Sequence, residues 1–199
     1  MIILLNGTSC SGKTTVARAV QALMPEPYLH IGLDYFEAMQ PVRDGRRINV
    51  IYGQRTFSDV YEERGPDFLP VMHRTVRAFS DEGANAVVEH MFTKRRWLKD
   101  VVETLSDAPV MFVEVHCPLP VLEERERNRP NAYVGQAEEH HRKLAGLHRA
   151  GIHDLAVDTG TMDPAACARA IQDRMHDGAP LDALRRLRGS PLLDEADVE

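Results

Sequence analysis

Gly7-Thr8-Ser9-Cys10-Ser11-Gly12-Lys13-Thr14, continued by Thr15, lies between the apolar run Ile2 to Leu5 and a stretch of helical periodicity, and that order decides the fold. The spacing G-x-x-x-x-G-K-[ST], after a strand and before a helix, is a phosphate-loop signature. Gly7 and Gly12 allow the backbone to curl, so that successive N–H groups can converge on a β-phosphate with no side chain in the way. Lys13 is expected to bridge the β- and γ-phosphates, and the Thr14 hydroxyl to ligate the Mg²⁺ that accompanies ATP. The helix that follows adds the positive end of its dipole to the same anion. Gly7 through Thr15 is therefore the expected nucleotide-binding set.

Outward from this loop, short apolar runs alternate with longer amphipathic stretches, the pattern of βαβ units in a parallel sheet covered on both faces. Strands are expected at Ile2 to Leu5, Tyr28 to Leu33, Ala86 to Glu89, Val110 to His116 and Asp154 to Val157. Helices are expected at Lys13 to Met24, Asp67 to Phe79, Lys94 to Leu105, Leu119 to Asn128, Gly135 to His148 and Pro164 to Met175. In the second of these, Phe68, Val71, Met72, Val76 and Phe79 read as one apolar stripe. The fold class is thus α/β, a P-loop NTPase with a five-stranded parallel sheet flanked by helices. Tyr35 to Gly65 has no clean period, carries Arg43, Arg46, Arg47 and Arg55 and the turn signal Asp44-Gly45, and is expected to cover the acceptor. Beyond Gly178 the chain holds one short amphipathic piece, Leu181 to Leu187, and an acidic end. This tail is expected to fray or to cap a partner subunit in a homo-oligomer.

A chain of 199 residues suits one α/β domain, here residues 1–178, and its net charge of -6 argues against a non-specific grip on nucleic acid. Small molecules are the expected partners. Cys10, Cys117 and Cys167 have neither C-x-x-C spacing nor a histidine cluster, which suggests reduced thiols in a cytoplasmic protein. The N-terminus enters a strand at once, without a basic segment or cleavage site, and no apolar run is long enough to cross a bilayer.

Asp34 closes the second strand, where a carboxylate projects toward the phosphate loop and could take the proton of an attacking hydroxyl. Its other reading is an N-cap for a helix starting at Tyr35. Glu89 ends the next strand in the position of a Walker B acid that holds Mg²⁺ through water; the alternative is a capping or surface acid. Arg125 and Arg129, four apart before the break at Pro130-Asn131, have the layout of a kinase lid spanning residues 119–142, in which guanidinium groups clamp phosphates on closure. The alternative is a solvated helix in which Glu123 pairs with Arg127. His90 is expected to pack, His140 and His141 to be solvated, and Lys94, Arg95 and Arg96 to open a helix with one contact to substrate. Neither an Asn-Lys-x-Asp motif nor a Leu-Ser-Gly-Gly signature is present, so GTPase and transport-ATPase readings lose their weight.

The combination of the phosphate loop with Pro25-Glu26-Pro27, Gly32-Leu33-Asp34, Val115-His116-Cys117 and Glu124-Arg125-Glu126 resembles the chloramphenicol phosphotransferase family of P-loop kinases, from Met1 to about Met175. The resemblance implies a fold like that of shikimate and adenylate kinases, a mobile arginine lid, and Asp34 at the position of the catalytic base. It also implies transfer of the ATP γ-phosphoryl to the hydroxyl of chloramphenicol or a related antibiotic. The chain departs from the family pattern at Glu89-His90, where the family has two acids, and at Ala132, where it has a lid arginine; Arg142 is the candidate replacement. Its acceptor region is also richer in arginine. Two further readings remain open: a metabolic nucleoside or sugar kinase, and a nucleotide-binding regulatory or toxin-like module that would not need a base at Asp34.

Overall fold

The computed structural model describes residues 1–38, 42–43, 46–47, 68–129 and 134–194. Five parallel strands form one sheet: β1 (Ile2–Asn6), β2 (Tyr28–Ile31), β5 (Asn85–His90), β6 (Val110–His116) and β7 (Leu155–Asp158). Their spatial order is β2-β5-β1-β6-β7. β1 is flanked by β5 on one side and β6 on the other, with Asn6 paired to His90 and to Glu114. This is a point where the strand order reverses, and open α/β sheets bind ligands at the carboxyl ends of the strands there. A separate antiparallel pair joins β3 (Val42–Arg43) to β4 (Arg46–Arg47). Asp44 and Gly45, where a turn is expected, and most of the 35–65 segment lie outside the described residues.

Ile2, Ile3, Leu4 and Leu5 are all fully buried because β1 is covered on both faces, which is why its run is continuous and not alternating. Ile2 and Leu4 join one core cluster, together with residues of α3 (Phe68–Asp81), α4 (Arg95–Leu105), α6 (Gln136–Ala150) and α8 (Ala183–Arg188). Ile3 and Leu5 join the other, together with Val16, Ala17 and Val20 of α1 (Lys13–Leu23) and Cys167, Ala168 and Ile171 of α7 (Pro164–His176). Each isoleucine, leucine or valine among them contributes about 1.5–3 kcal/mol by burial. The remaining helices are α2 (Leu33–Ala38) and α5 (Leu119–Asn128). α1 stops at Met24, which takes the extended conformation imposed by Pro25. α7 opens on Asp163, whose carboxylate accepts the Ala166 amide at 2.7 Å, with Pro164 in the first turn.

The expected elements are present with shifted ends, and three differences have physical causes. β2 stops at Ile31, and Leu33 already belongs to α2. On α3 the buried stripe is Leu69, Met72, His73 and Val76, whereas Val71 and Phe79 are exposed, so the apolar face lies about one position away from the expected one. The short piece of the tail, expected to fray or to cap a partner subunit, forms α8, whose Ala183, Leu184 and Leu187 are buried in the protein's own core. Asp154 holds it there. One carboxylate oxygen accepts the amides of Asp182 and Ala183 at 2.9 and 3.0 Å, and the other accepts Phe112 N–H at 2.8 Å. Residues 195–199 lie outside the described residues.

Candidate active site

A cleft of about 1210 Å³ opens at the carboxyl end of the sheet, directly over the phosphate loop. Gly7 is required by close approach: a Cβ there would lie 2.5 Å from the Val115 carbonyl oxygen. Gly12 is required by conformation, at φ 85°, and Cys10 adopts φ 61°. These turns deliver the chain to α1, whose first amides have no intrahelical acceptor and face an incoming anion. The Ser11 hydroxyl is buried with no hydrogen-bond partner, another polar atom in the loop that is left open.

Lys13 lies back over this loop, its ammonium donating to the carbonyls of Gly7 at 2.9 Å and Thr8 at 2.7 Å. Burial pulls its pKa down to about 8, against the opposing charges of Glu89, Cys10 and Asp34, and Arg129 adds repulsion. An ammonium held this way gains most from a polyphosphate that replaces its lost hydration.

Thr14 donates its hydroxyl to Glu89 Oε2 at 2.9 Å. The phosphate-loop hydroxyl and the strand-end acid, 75 residues apart in sequence, therefore meet. Glu89 Oε1 is 2.5 Å from His30 Nε2, and His30 Nδ1 is 3.2 Å from the Tyr35 hydroxyl. The tautomer that satisfies both has Nε2–H donating to Glu89 and Nδ1 accepting from Tyr35, so His30 orients the acid. Sequence reasoning missed His30, which lies in the middle of β2 with nothing local to mark it.

Asp34 lines the cleft with an exposed side chain in the first turn of α2. It is thus neither a strand terminus nor a cap for a helix starting at Tyr35. Its charge acts on Lys13.

Arg125 and Arg129 also line the cleft, but they do not share a helical face, because α5 ends at Asn128 and Arg129 is its extended C-cap. Arg125 is tied into the wall, donating to Thr159 O at 2.7 Å, Thr159 Oγ1 at 3.1 Å and Cys10 O at 3.4 Å. The Thr159 hydroxyl in turn donates to Ser11 O at 2.7 Å. Arg129 is exposed. Between the two, Glu126 is 4% exposed and accepts the amides of Gly135 and Ala137, each at 2.7 Å. It caps the N-terminus of α6 and so joins α5 to α6 on either side of residues 130–133, which include Ala132 and lie outside the described residues. His140 is buried against expectation, lines the cleft, and is held down to about pKa 4, mainly by desolvation. Arg142 is exposed, and Lys143 faces the cleft in its place.

The far wall of the cleft brings together Leu69, Met72, Met91 and Trp97, with Lys94 placed 5.1 Å over the Trp97 ring. Behind it runs a buried relay in which His90 Nδ1 accepts Met91 N–H, its Nε2 meets His73 Nε2 at 2.9 Å, and His73 Nδ1 meets Asp100 at 2.5 Å. His90 stacks on Phe92 at a ring separation of 3.9 Å, the packing role expected of it. Among the described residues no helix is long and apolar enough to cross a membrane.

The family model described as chloramphenicol phosphotransferase-like protein matches residues 1–176. A curated relative from Mycobacterium tuberculosis (strain ATCC 25618 / H37Rv), provisionally named as an O-phosphotransferase, is 28% identical over 184 residues, covering 86% of this chain and 80% of that one. Among solved structures, an unliganded sugar kinase from Janibacter sp. HTCC2649 superposes with a TM-score of 0.61 at 16% identity, over 89% of this chain and 95% of that one. A tunicamycin resistance protein from Deinococcus radiodurans does so with a TM-score of 0.61 at 21% identity, over 88% and 95%. The architecture is that of the P-loop kinases.

Proposed function

The chain belongs to the chloramphenicol phosphotransferase-like family, and from that premise we propose that it moves the γ-phosphoryl group of ATP to a hydroxyl of a small molecule. The observation that carries this reading is the convergence on one cleft of Lys13, the Thr14–Glu89 pair and Asp34. A nucleotide switch has use for the first three of these residues but not for a free carboxylate facing the acceptor side.

In this reading the amides from Ser9 to Thr14 hold the β-phosphate, and Lys13 leaves its loop carbonyls for the bridging oxygen. Thr14 and Glu89 fit a magnesium ion, since a hydroxyl and a carboxylate oriented by His30 are hard oxygen donors at the edge of a phosphate site. That ion, when bound, offsets the charge of the β- and γ-oxygens. Asp34 accepts the acceptor's hydroxyl proton while the acceptor oxygen bonds to the γ-phosphorus; the bond to the β–γ bridging oxygen breaks, and ADP leaves. Arg125 holds the loop that the nucleotide touches, and exposed Arg129 is the group left to meet the transferring phosphoryl.

Leu69, Met72 and Trp97 offer the acceptor an apolar wall beside the Lys94 ammonium. We assign the acceptor to amphipathic hydroxylated molecules, a class that includes chloramphenicol and related aminodiol antibiotics, over bare sugars. ADP release measured against aminodiol antibiotics, nucleosides and sugar alcohols, with Lys13→Ala as the blank, tests this. Release with the antibiotics alone is the expected result. ATP binding without acceptor-dependent release in any class would leave the switch reading in its place.

A further inference from the structure

Apart from the cleft, on the sheet face opposite α1, a second cluster of chemistry-bearing side chains gathers at the carboxyl end of β6. Glu114 and His116 are two apart on this strand and share one face. His148 reaches them from the last turn of α6, and His153 follows just beyond that helix. The donor atoms of Glu114, His116 and His148 all lie within 4.8 Å of one another. The Glu114 side chain is 12% exposed and that of His148 13%.

This arrangement lacks a positive partner. Among the described residues no lysine or arginine pairs with Glu114; only His148 Nδ1, at 3.7 Å from Oε1, and His153 Nδ1, at 3.1 Å from Oε2, approach it. The second approach sets His153 against one oxygen of Glu114, while the buried Nε2 of His148 has no hydrogen-bond partner. Buried polar atoms left open in this way call for an ion or a water.

We propose that Glu114, His116 and His148 bind a divalent transition-metal ion of the zinc type, with His153 orienting the second oxygen of Glu114. Two imidazoles and one carboxylate suit Zn²⁺, with water in the fourth position. In tetrahedral coordination such donors stand roughly 3.4 Å apart, so small side-chain rotations close the present cluster around an ion. The imidazole donors distinguish it from the oxygen-only magnesium site expected at Thr14 and Glu89. The first half of α6 supplies Gln136, Glu139, His140 and Lys143 to the cleft, whereas His148 lies at its other end. An ion there clamps the base of the lid helix to the central sheet. The proposal stands whether or not the protein is a kinase.

Chelator-treated protein titrated with Co²⁺, a coloured substitute for Zn²⁺, provides the test. The expected result is saturation at one ion per chain, with the visible absorption of low-coordinate Co²⁺, bleached by Zn²⁺ and unaffected by Mg²⁺. Zn²⁺ should raise Tm. Both signals should be lost in Glu114→Gln and in His148→Gln, and kept in a His176→Gln control. A wild-type titration with no saturable band, or a band that survives in both variants, overturns the proposal. Should either variant misfold, imidazole ¹⁵N spectra of the wild type decide: Zn²⁺ must shift His116 and His148 but not His176, and unshifted signals refute the site.

Discussion

The phosphate-loop end of the cleft and the end proposed to take the acceptor are built on different principles. The phosphate end is a single stretch, Gly7 to Thr15, built of backbone amides and glycine-dependent turns, with one half-buried lysine lying across them. The acceptor end is assembled from side chains of α2, α3, β5 and the start of α4, which are tens of residues apart. A site made of backbone can be inherited unchanged across many acceptors, whereas a site made of scattered side chains can change without disturbing it. The solved structures that share this fold, at 21% identity or below, include a sugar kinase and a tunicamycin resistance protein.

If that contrast holds, substitutions at the two ends must fail differently. Lys13→Ala should abolish transfer to every acceptor alike while leaving the circular dichroism spectrum unchanged, since the lysine meets charge on the reacting phosphates and adds nothing to the apolar core. Normal turnover in that variant would remove the kinase reading. Asp34→Asn should lower kcat by about 10² to 10⁴, the usual worth of a general base, with little change in ATP binding. Glu89→Gln should instead raise the Mg²⁺ concentration that gives half-maximal rate, because it acts on the ion. Rescue of Asp34→Asn by excess Mg²⁺, with Glu89→Gln unrescued, would mean that the two roles are exchanged.

A pH profile reaches the same lysine without mutation. Desolvation places the Lys13 pKa near 8, so the free enzyme loses this charge as pH rises through that value. kcat/KM for ATP should then fall by about tenfold per pH unit above the limb. In the stability of the empty protein the sign is opposite. The folded pKa lies below the unfolded one, so the cost of burying the charge is fully present below about pH 8 and is relieved as pH rises toward the ordinary lysine value. A limb in kcat/KM only near that ordinary value would show that the loop does not desolvate the lysine. The smallest effect belongs to the acceptor wall. Lys94→Ala should raise KM for a preferred acceptor by about tenfold or less, the scale of one cation contact, and leave KM for ATP unchanged. An equal change in both constants would erase the distinction between the two ends.

The sequence exposes what is local and hides what depends on how helices lean. The phosphate loop, Glu89 at a strand end and the alternation of strands and helices each rest on spacings within one element; the fold expected from them is the one found, as is the family expected from the phosphate loop and the short motifs that accompany it. Glu126 escaped because its partners are amides nine and eleven residues onward, brought to it by the angle between α5 and α6. His140 was read as solvated because its neighbours on α6 are charged, yet the helix turns that one side toward the cleft. The α3 stripe was displaced because apolar residues occupy both its buried and exposed faces, and tertiary packing alone chooses between them. α8 shows in the sequence as a short amphipathic piece, too short to be stable alone, and its attachment to Asp154 and to the core beneath it is not local.

That last attachment matters to anyone who expresses this protein. The family match stops at residue 176, a tempting place to end a recombinant product. A chain cut there would bare the greasy ground under Leu184 and Leu187 and leave one oxygen of Asp154 without its two amides. Such a product would be expected to clump, and its silence in an assay would say nothing about catalysis. The purification tag and the stop codon belong after Asp194.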